Sequence, residues 1–310
     1  MNSNKISAWI LVAATMLLAV MGCWFCWHCP SRIYEVHELF WRQLAWNVIG
    51  ITAFVGAWAF GWKRLLKAAP WLMAAWLLAF GVAQASMAVR GTHRWVSFGP
   101  IRVNVVTCFM PVFALFVAWL HERKLVRPWM ERTTLAVVAL CLVWMIVGNE
   151  WRMDRLVAFL NPEDQRYDKA YMSYQLSAAL SDAKWFGCAG KDLALLPCPE
   201  SDGMMSAAAL MFGKWFPSAI VVLFAVSCSA LGIVLKYAEN ESRRRYVLLF
   251  GLWLIVPTAY CLLHSFALLP VAGMSPALVS YGGTAVVMAW FGLGTLMANT
   301  TRYTEICTGQ

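Results

Sequence analysis

The sequence predicts an all-α polytopic membrane protein of about eight transmembrane helices, with both termini cytoplasmic and one long outer loop containing a short interfacial helix. Three observations predict it. Of 310 residues, 61% are hydrophobic and 13% charged, with 18 tryptophans, which is more apolar surface than a soluble fold could hide. The apolar residues come in long continuous runs, where a membrane β-barrel would show short alternating segments. The net charge of +9 comes from lysines and arginines gathered between those runs, which points to basic cytoplasmic loops before nucleic acid.

The runs near 8–27, 42–60, 70–88, 104–120, 134–149, 206–232, 246–268 and 284–299 are each read as a span. The fifth and eighth are short and rely on interfacial flanks. The first follows Lys5 and reaches "VMGC" at Cys23, faintly like a lipoprotein signal. Removing it would leave an odd number of spans, so an uncleaved helix is expected. With a cytoplasmic N-terminus, the inner segments hold thirteen lysines and arginines and the short outer loops five, namely Arg32, Arg42, Arg90, Arg94 and Arg102. That imbalance sets both termini inside and the long loop, 150–205, outside. No segment is of soluble-domain size, so residues 1–310 are expected to form a single membrane domain.

The cysteines fall mostly in helices, where a thiol behaves as a small hydrophobe. The stretch "CWFCWHC" sets Cys23, Cys26, His28 and Cys29 at the outer end of the first helix. No second ligand pair lies nearby, and the spacing suits packing, so no metal site is assigned. Cys188 and Cys198 flank part of the outer loop, where an oxidising compartment would permit a disulfide.

Three outer stretches carry polar chemistry. "RGTHRWVSFGPIRVN", Arg90 to Asn104, is basic, with Trp95 and Phe98 as anchors and Gly99-Pro100 for a turn. It is either an aromatic-belted basic loop or a phosphate clamp in which Arg94 and Arg102 hold an anionic lipid head group. In the long loop, Tyr171, Gln175 and Ala179 share one face of a short helix over 168–182. Gly187 and Gly190, then Lys191, then Pro197 and Pro199 lead to Glu200, Ser201 and Asp202. Ser201 or Asp202 can cap the helix that follows, and the spacing favours that role. A carboxylate at the outer mouth of a bundle is also placed for general-base work on a lipid-borne sugar hydroxyl, and the two roles are compatible. The third stretch is "LLPVAGMSPALVSYGGTAVVMAW", 268–290. Pro270, Gly273 and Pro276 prevent a continuous helix, and Gly282-Gly283 permits backbone angles closed to other residues. Broken backbone at membrane depth is tolerated where it is buried in protein or lines a cavity, so a cavity-shaping turn is expected.

That third stretch resembles the signature of the SEDS family, the FtsW- and RodA-like proteins of division and elongation, close to "LLPvTGltLPfiSYGGSs". Leu269, Pro270, Gly273, Pro276, Ser280, Tyr281, Gly282 and Gly283 match it, and Thr284 stands for the serine. "GTHRWVSFGP" resembles the family's "GArRWi.lGp" through Gly91, Arg94, Trp95, Gly99 and Pro100. The long loop matches at Asn161-Pro162 and at Tyr171, Gln175 and Ala179, and "LPCPESD" is similar to "LPEaHTD". The resemblance implies a peptidoglycan glycosyltransferase that polymerises a lipid-linked disaccharide-peptide outside a bacterial inner membrane. It implies Asp202 as the catalytic base, raising that role above capping alone. Arg94, with Lys191 or Lys214, would neutralise the pyrophosphate, and Trp95 and Ser280, Tyr281, Gly282 and Gly283 would line the substrate cavity. A divalent cation, magnesium or manganese, would share the charge neutralisation, and a class B penicillin-binding protein would be the partner.

The departures are equally specific. Family members usually have ten spans, and here one run, 134–149, stands where three are expected, so the pair bearing "QPDlGT" reads as deleted. The family's "QPSE..K" becomes "NVVTCFM", from Asn104 to Met110, which removes a buried Glu and Lys. "GEElG" becomes "MFGKWF", with Lys214 near the acidic position. These losses leave open a catalytically inactive scaffold or head-group binder in an envelope complex. A lipid transporter and an O-antigen-type polymerase are more remote alternatives.

Overall fold

Continuous apolar sequence leaves a chain in lipid one local solution, the helix, because every backbone N–H and C=O must be satisfied within its own segment. The computed structural model describes residues 3–30, 37–86, 93–99, 101–127, 171–188, 196–266 and 276–301, with residues 35, 156–157, 159–160 and 268–270. The described elements are α1 (Ser3–His28), α2 (Glu38–Phe60), α3 (Trp62–Ala85), β1 (Trp95–Phe98), β2 (Ile101–Asn104), α4 (Val105–Glu122), α5 (Tyr171–Asp182), α6 (Met204–Phe212), α7 (Trp215–Lys236), α8 (Glu241–Ser265) and α9 (Gly283–Thr301). Among them α1 to α4, α7 and α8 are long and apolar enough to cross a membrane. The expected span at 134–149, and with it the question of the missing pair, lies outside the described residues.

Three departures from the sequence reading have a physical reason visible in the structure. Helix α3 starts at Trp62 and runs through Pro70, because Lys63, Arg64 and Lys67 form a basic first turn that can reach the interface with its charged ends. The run at 206–232 is two helices. Gly213 breaks it at φ 100°, and a Cβ there would overlap the backbone of Trp185 and Phe186. The outer loop crosses closely at that point, with Gly187 N–H donating to the Phe212 carbonyl at 3.1 Å and Lys214 N–H to the Lys184 carbonyl at 2.8 Å. Finally, β1 and β2 form a small antiparallel hairpin, Trp95 opposite Asn104, where a loop was expected. Gly99 at φ 60° makes its turn.

The helices pack chiefly as α2 on α9, α4 on α8, α1 on α7 and α3 on α4. Helix α9 is the centre, with every residue from Gly292 to Asn299 buried. Close approach there depends on small residues. A Cβ on Gly292 would overlap the Phe250 ring, and one on Gly294 would overlap the backbone of Phe54. Polar side chains lock the same seams, the Tyr246 hydroxyl donating to the Gly292 carbonyl at 2.8 Å and Trp290 Nε1 to Asn47 Oδ1 at 3.1 Å. At the far end from the outer loop, Asn240 caps α8 and the buried Arg243 donates to Glu239 at 2.8 Å and to the Asn299 carbonyl at 2.7 Å. The outer loop joins the same core through Leu176, Ala179, Ala183 and Leu196. Its helix therefore buries Leu176 and Ala179, while Tyr171 stays exposed.

Candidate functional site

The hairpin is the first of three segments that meet at one end of the helices. The Arg94 carbonyl accepts from Val105 N–H at 3.0 Å, which seats the hairpin on the first turn of α4. The Asn104 side chain caps that helix, accepting from Thr107 N–H at 3.3 Å. Asn104 N–H in turn donates to Thr284 Oγ1 at 3.0 Å. The hairpin is thus tied to the start of α9. Arg94 itself is exposed, its guanidinium 6.0 Å from the ring of the half-buried Trp95.

The second segment is the turn before α9. Ser280 is buried, and both its N–H and its hydroxyl bond the Pro276 carbonyl, at 3.1 and 2.6 Å. The side chain therefore builds the turn and does not present itself to a ligand. Gly283 is required for space, since a Cβ would overlap the Trp46 indole. Neither Gly282 nor Gly283 has a positive φ, so the expectation of unusual backbone angles is replaced by one of close packing. From below, α1 approaches at Gly22, where a Cβ would overlap the backbone of Leu278 and Val279.

The third segment bears Asp202. Cys198 adopts φ 46°, and its carbonyl collects Ser201 N–H at 3.1 Å and Gly203 N–H at 3.0 Å in a tight turn. Gly203, not Ser201 or Asp202, occupies the cap position of α6. Backbone supplies the closure, with Met204 N–H donating to the Ser201 carbonyl at 3.2 Å. The capping role expected for Ser201 or Asp202 is therefore not the one the fold uses. Asp202 is half-buried, with its carboxylate within electrostatic reach of the Cys261 thiol near the C-terminal end of α8. Glu200 turns towards α1. Burial first, and the Glu200 carboxylate second, push the Cys29 thiol from 9.0 up to about 12. Joining this segment to the second, Tyr281 N–H donates to the Glu200 carbonyl at 3.0 Å.

Hairpin, turn and acidic loop therefore form one chain of contacts, with the turn in the middle. The family described as "Cell cycle protein" (FTSW_RODA_SPOVE) matches residues 127–305, more than half of the sequence. The chain belongs to the FtsW/RodA/SpoVE family. It is 23% identical over 356 aligned residues to a probable peptidoglycan glycosyltransferase FtsW of Thioalkalivibrio sp. (strain K90mix), covering 95% of this chain and 89% of that one. A second FtsW so described, from Aromatoleum aromaticum, is 21% identical over 325 residues, covering 85% and 78%. In fold, the chain is similar to the Thermus thermophilus rod shape determining protein RodA, with TM-score 0.69, 18% identity and 95% and 97% coverage. It is also similar to a chain from "Structural coordination of polymerization and crosslinking by a peptidoglycan synthase complex", with TM-score 0.71, 16% identity and 94% and 96% coverage. The fold is the polytopic helical fold of the SEDS proteins, and the chain is a multi-pass membrane protein.

Within this SEDS chain the remaining expected residues are dispersed. Lys214 Nζ donates to the Ser181 carbonyl at 3.2 Å, where a cation complements the C-terminal end of α5. Lys191 lies outside the described residues. Cys188 and Cys198 are both exposed. Cys26 and Cys29 are buried, and Asn47 Nδ2 donates to Cys23 Sγ at 3.6 Å.

Sequence reasoning missed the first turns of α2. Arg42 holds Glu38 through Nη2 at 2.7 Å and Nε at 2.8 Å, and lies within electrostatic reach of the Tyr281 side chain. Gln43 Nε2 donates to the Ser280 carbonyl at 3.3 Å, Trp46 covers Gly283, and Asn47 receives Trp290. The signal was available in "WRQLAWN", which sets polar residues at 42, 43 and 47 inside an apolar span. Counting Arg42 only for topology passed over it.

Proposed function

We propose that this protein polymerises peptidoglycan from a lipid-linked disaccharide-peptide at the outer face of a bacterial inner membrane, with both termini cytoplasmic. The observation that carries the proposal is the Tyr281 N–H to Glu200 carbonyl bond, which holds the family's signature turn beside the loop bearing Asp202. In this reading the Asp202 carboxylate accepts the proton of the acceptor sugar hydroxyl as that oxygen attacks the donor's anomeric carbon. The bond from that carbon to the pyrophosphate oxygen breaks, and undecaprenyl pyrophosphate leaves with inversion. Arg94, at the hairpin mouth, together with Lys191, offsets charge on the leaving group. Trp95, Tyr281, Gly282 and Gly283 shape the cavity around it.

Among the described residues no three ligating side chains gather as a metal cage. Glu200 and Asp202 do offer one or two half-buried carboxylates of the kind that hold magnesium or manganese jointly with substrate phosphates. An ion bound there would stabilise the negative charge of the pyrophosphate. A class B penicillin-binding protein is the proposed partner, in keeping with the similarity to a chain of a peptidoglycan synthase complex.

The test is polymerisation of lipid-linked precursor by the purified protein, alone and with its transpeptidase partner. Asp202→Ala should lower the rate at least about a hundredfold. Equal strand formation by Asp202→Ala would remove Asp202 as the base. One observation favours a second reading, an inactive scaffold, because Asn104 to Met110 lacks the family's Glu and Lys. Wild-type protein that forms no strands with its partner, while Asp202→Ala supports normal growth, would establish it.

A further inference from the structure

The first turns of α2 grip the signature turn from one face. Arg42, Gln43, Trp46 and Asn47 face, in that order, the Tyr281 side chain, the Ser280 carbonyl, Gly283 and Trp290. Gln43 is the most deeply placed of them, fully buried, and its amide reaches the turn backbone directly. One residue further along that backbone, Tyr281 N–H holds the Glu200 carbonyl, two residues before Asp202. The path from α2 to the acid therefore runs Gln43, Ser280, Tyr281, Glu200, Asp202.

The amide's other half is unmet. Gln43 Oε1 is buried and finds no hydrogen-bond donor among the described residues. A buried amide with an orphan acceptor destabilises the fold relative to an apolar side chain of similar volume. Local packing therefore gives no reason for glutamine at this position, while the bond to the turn does. Resting on the polymerase reading above, we infer that Gln43 is a positioning residue, which fixes the Ser280–Tyr281 backbone and through it the distance of Asp202 from the reacting sugars. It touches no substrate. Its effect falls on turnover and not on binding, because a catalytic group displaced by about an ångström loses rate steeply while the head group is still held.

The experiment compares wild type with Gln43→Met, which keeps the volume and removes the donor. Three quantities are read, namely the thermal unfolding midpoint in detergent, KM and kcat with lipid-linked precursor, and deuterium exchange of the Tyr281 amide. The expected result is an unfolding midpoint close to that of wild type, because removal of the orphaned Oε1 offsets loss of the donor to the Ser280 carbonyl, with KM within about twofold, kcat lower by about ten- to a hundredfold, and exchange about tenfold faster. Unchanged kcat, a change confined to KM, or a fall in kcat that tracks a lower midpoint overturns the inference. If wild type forms no glycan, the polymerase reading fails by itself. Exchange of Tyr281 then decides the clamp, supporting it if faster in Gln43→Met and overturning it if unchanged.

Discussion

Replacing Gly294 by alanine tests whether α9 and α2 meet backbone to backbone. A Cβ at Gly294 would overlap the Phe54 carbonyl oxygen and lie 2.8 Å from Phe54 Cα. Carbon atoms pack best at about 3.5–4.0 Å, so the helices must part by roughly an ångström. The obstacle is backbone, which cannot rotate away as a side chain would. Overpacking of this kind costs about 1–3 kcal/mol, and alanine returns about 1 kcal/mol of helix propensity. The net expectation is a loss of up to about 2 kcal/mol. Gly232→Ala in α7 is the control, because a Cβ there meets nothing within 4 Å. It should be neutral or gain up to about 1 kcal/mol. Thermal unfolding of both variants in one detergent, at one scan rate, makes the comparison. A Gly294→Ala midpoint equal to that of Gly232→Ala would refute the close-packed seam.

Two further expectations follow from buried polar groups. Tyr246→Phe removes a fully buried hydroxyl bonded to the Gly292 carbonyl at 2.8 Å, and unfolding should report a loss of about 1–2 kcal/mol with no change in helix content. The Cys29 thiol, pushed from 9.0 up to about 12, holds its proton more tightly in the folded state than in the unfolded one. Its favourable contribution is complete below pH 9.0 and is lost as pH rises towards 12, so wild type should lose stability relative to Cys29→Ser across that window only.

The fold was legible because lipid narrows the choices. Long apolar runs can only be helices, and the starts at Trp62 and Glu241 were missed by several residues because basic or polar turns still belong to the helix, while the start at Val105 was met to within a residue. The split at Gly213 was not legible, since it depends on Trp185 and Phe186 arriving from the distant outer loop. At the candidate site, the three stretches singled out for their composition do meet. Their roles were harder to read. Ser280 was expected to line the substrate cavity and its hydroxyl builds the turn, because whether a hydroxyl faces a cavity or its own backbone depends on χ1 and not on sequence. Lys214 looked like a phosphate partner, yet the fold brings the end of α5 to it. Gln43 carried a visible signal, polarity inside a span, which gains meaning only once Ser280 is known to lie opposite.

The same geometry explains which family features this chain keeps. The hairpin is joined to the turn by one backbone N–H and one hydroxyl, Asn104 to Thr284. Threonine supplies that oxygen as well as the family's serine does, so the exchange at 284 leaves the joint intact. Asn104, standing where the family motif begins, caps α4 with its side chain, which needs no glutamate or lysine further along. The acidic loop is joined to the turn by backbone alone, through Tyr281 and Glu200, so "LPCPESD" can differ from the family's pattern around its aspartate without releasing it. Loss of the Glu and Lys therefore removes charge from that stretch but neither of the two joints that assemble the site. Assembly and charge are separable in this architecture, and a divergent member can lose the second while keeping the first.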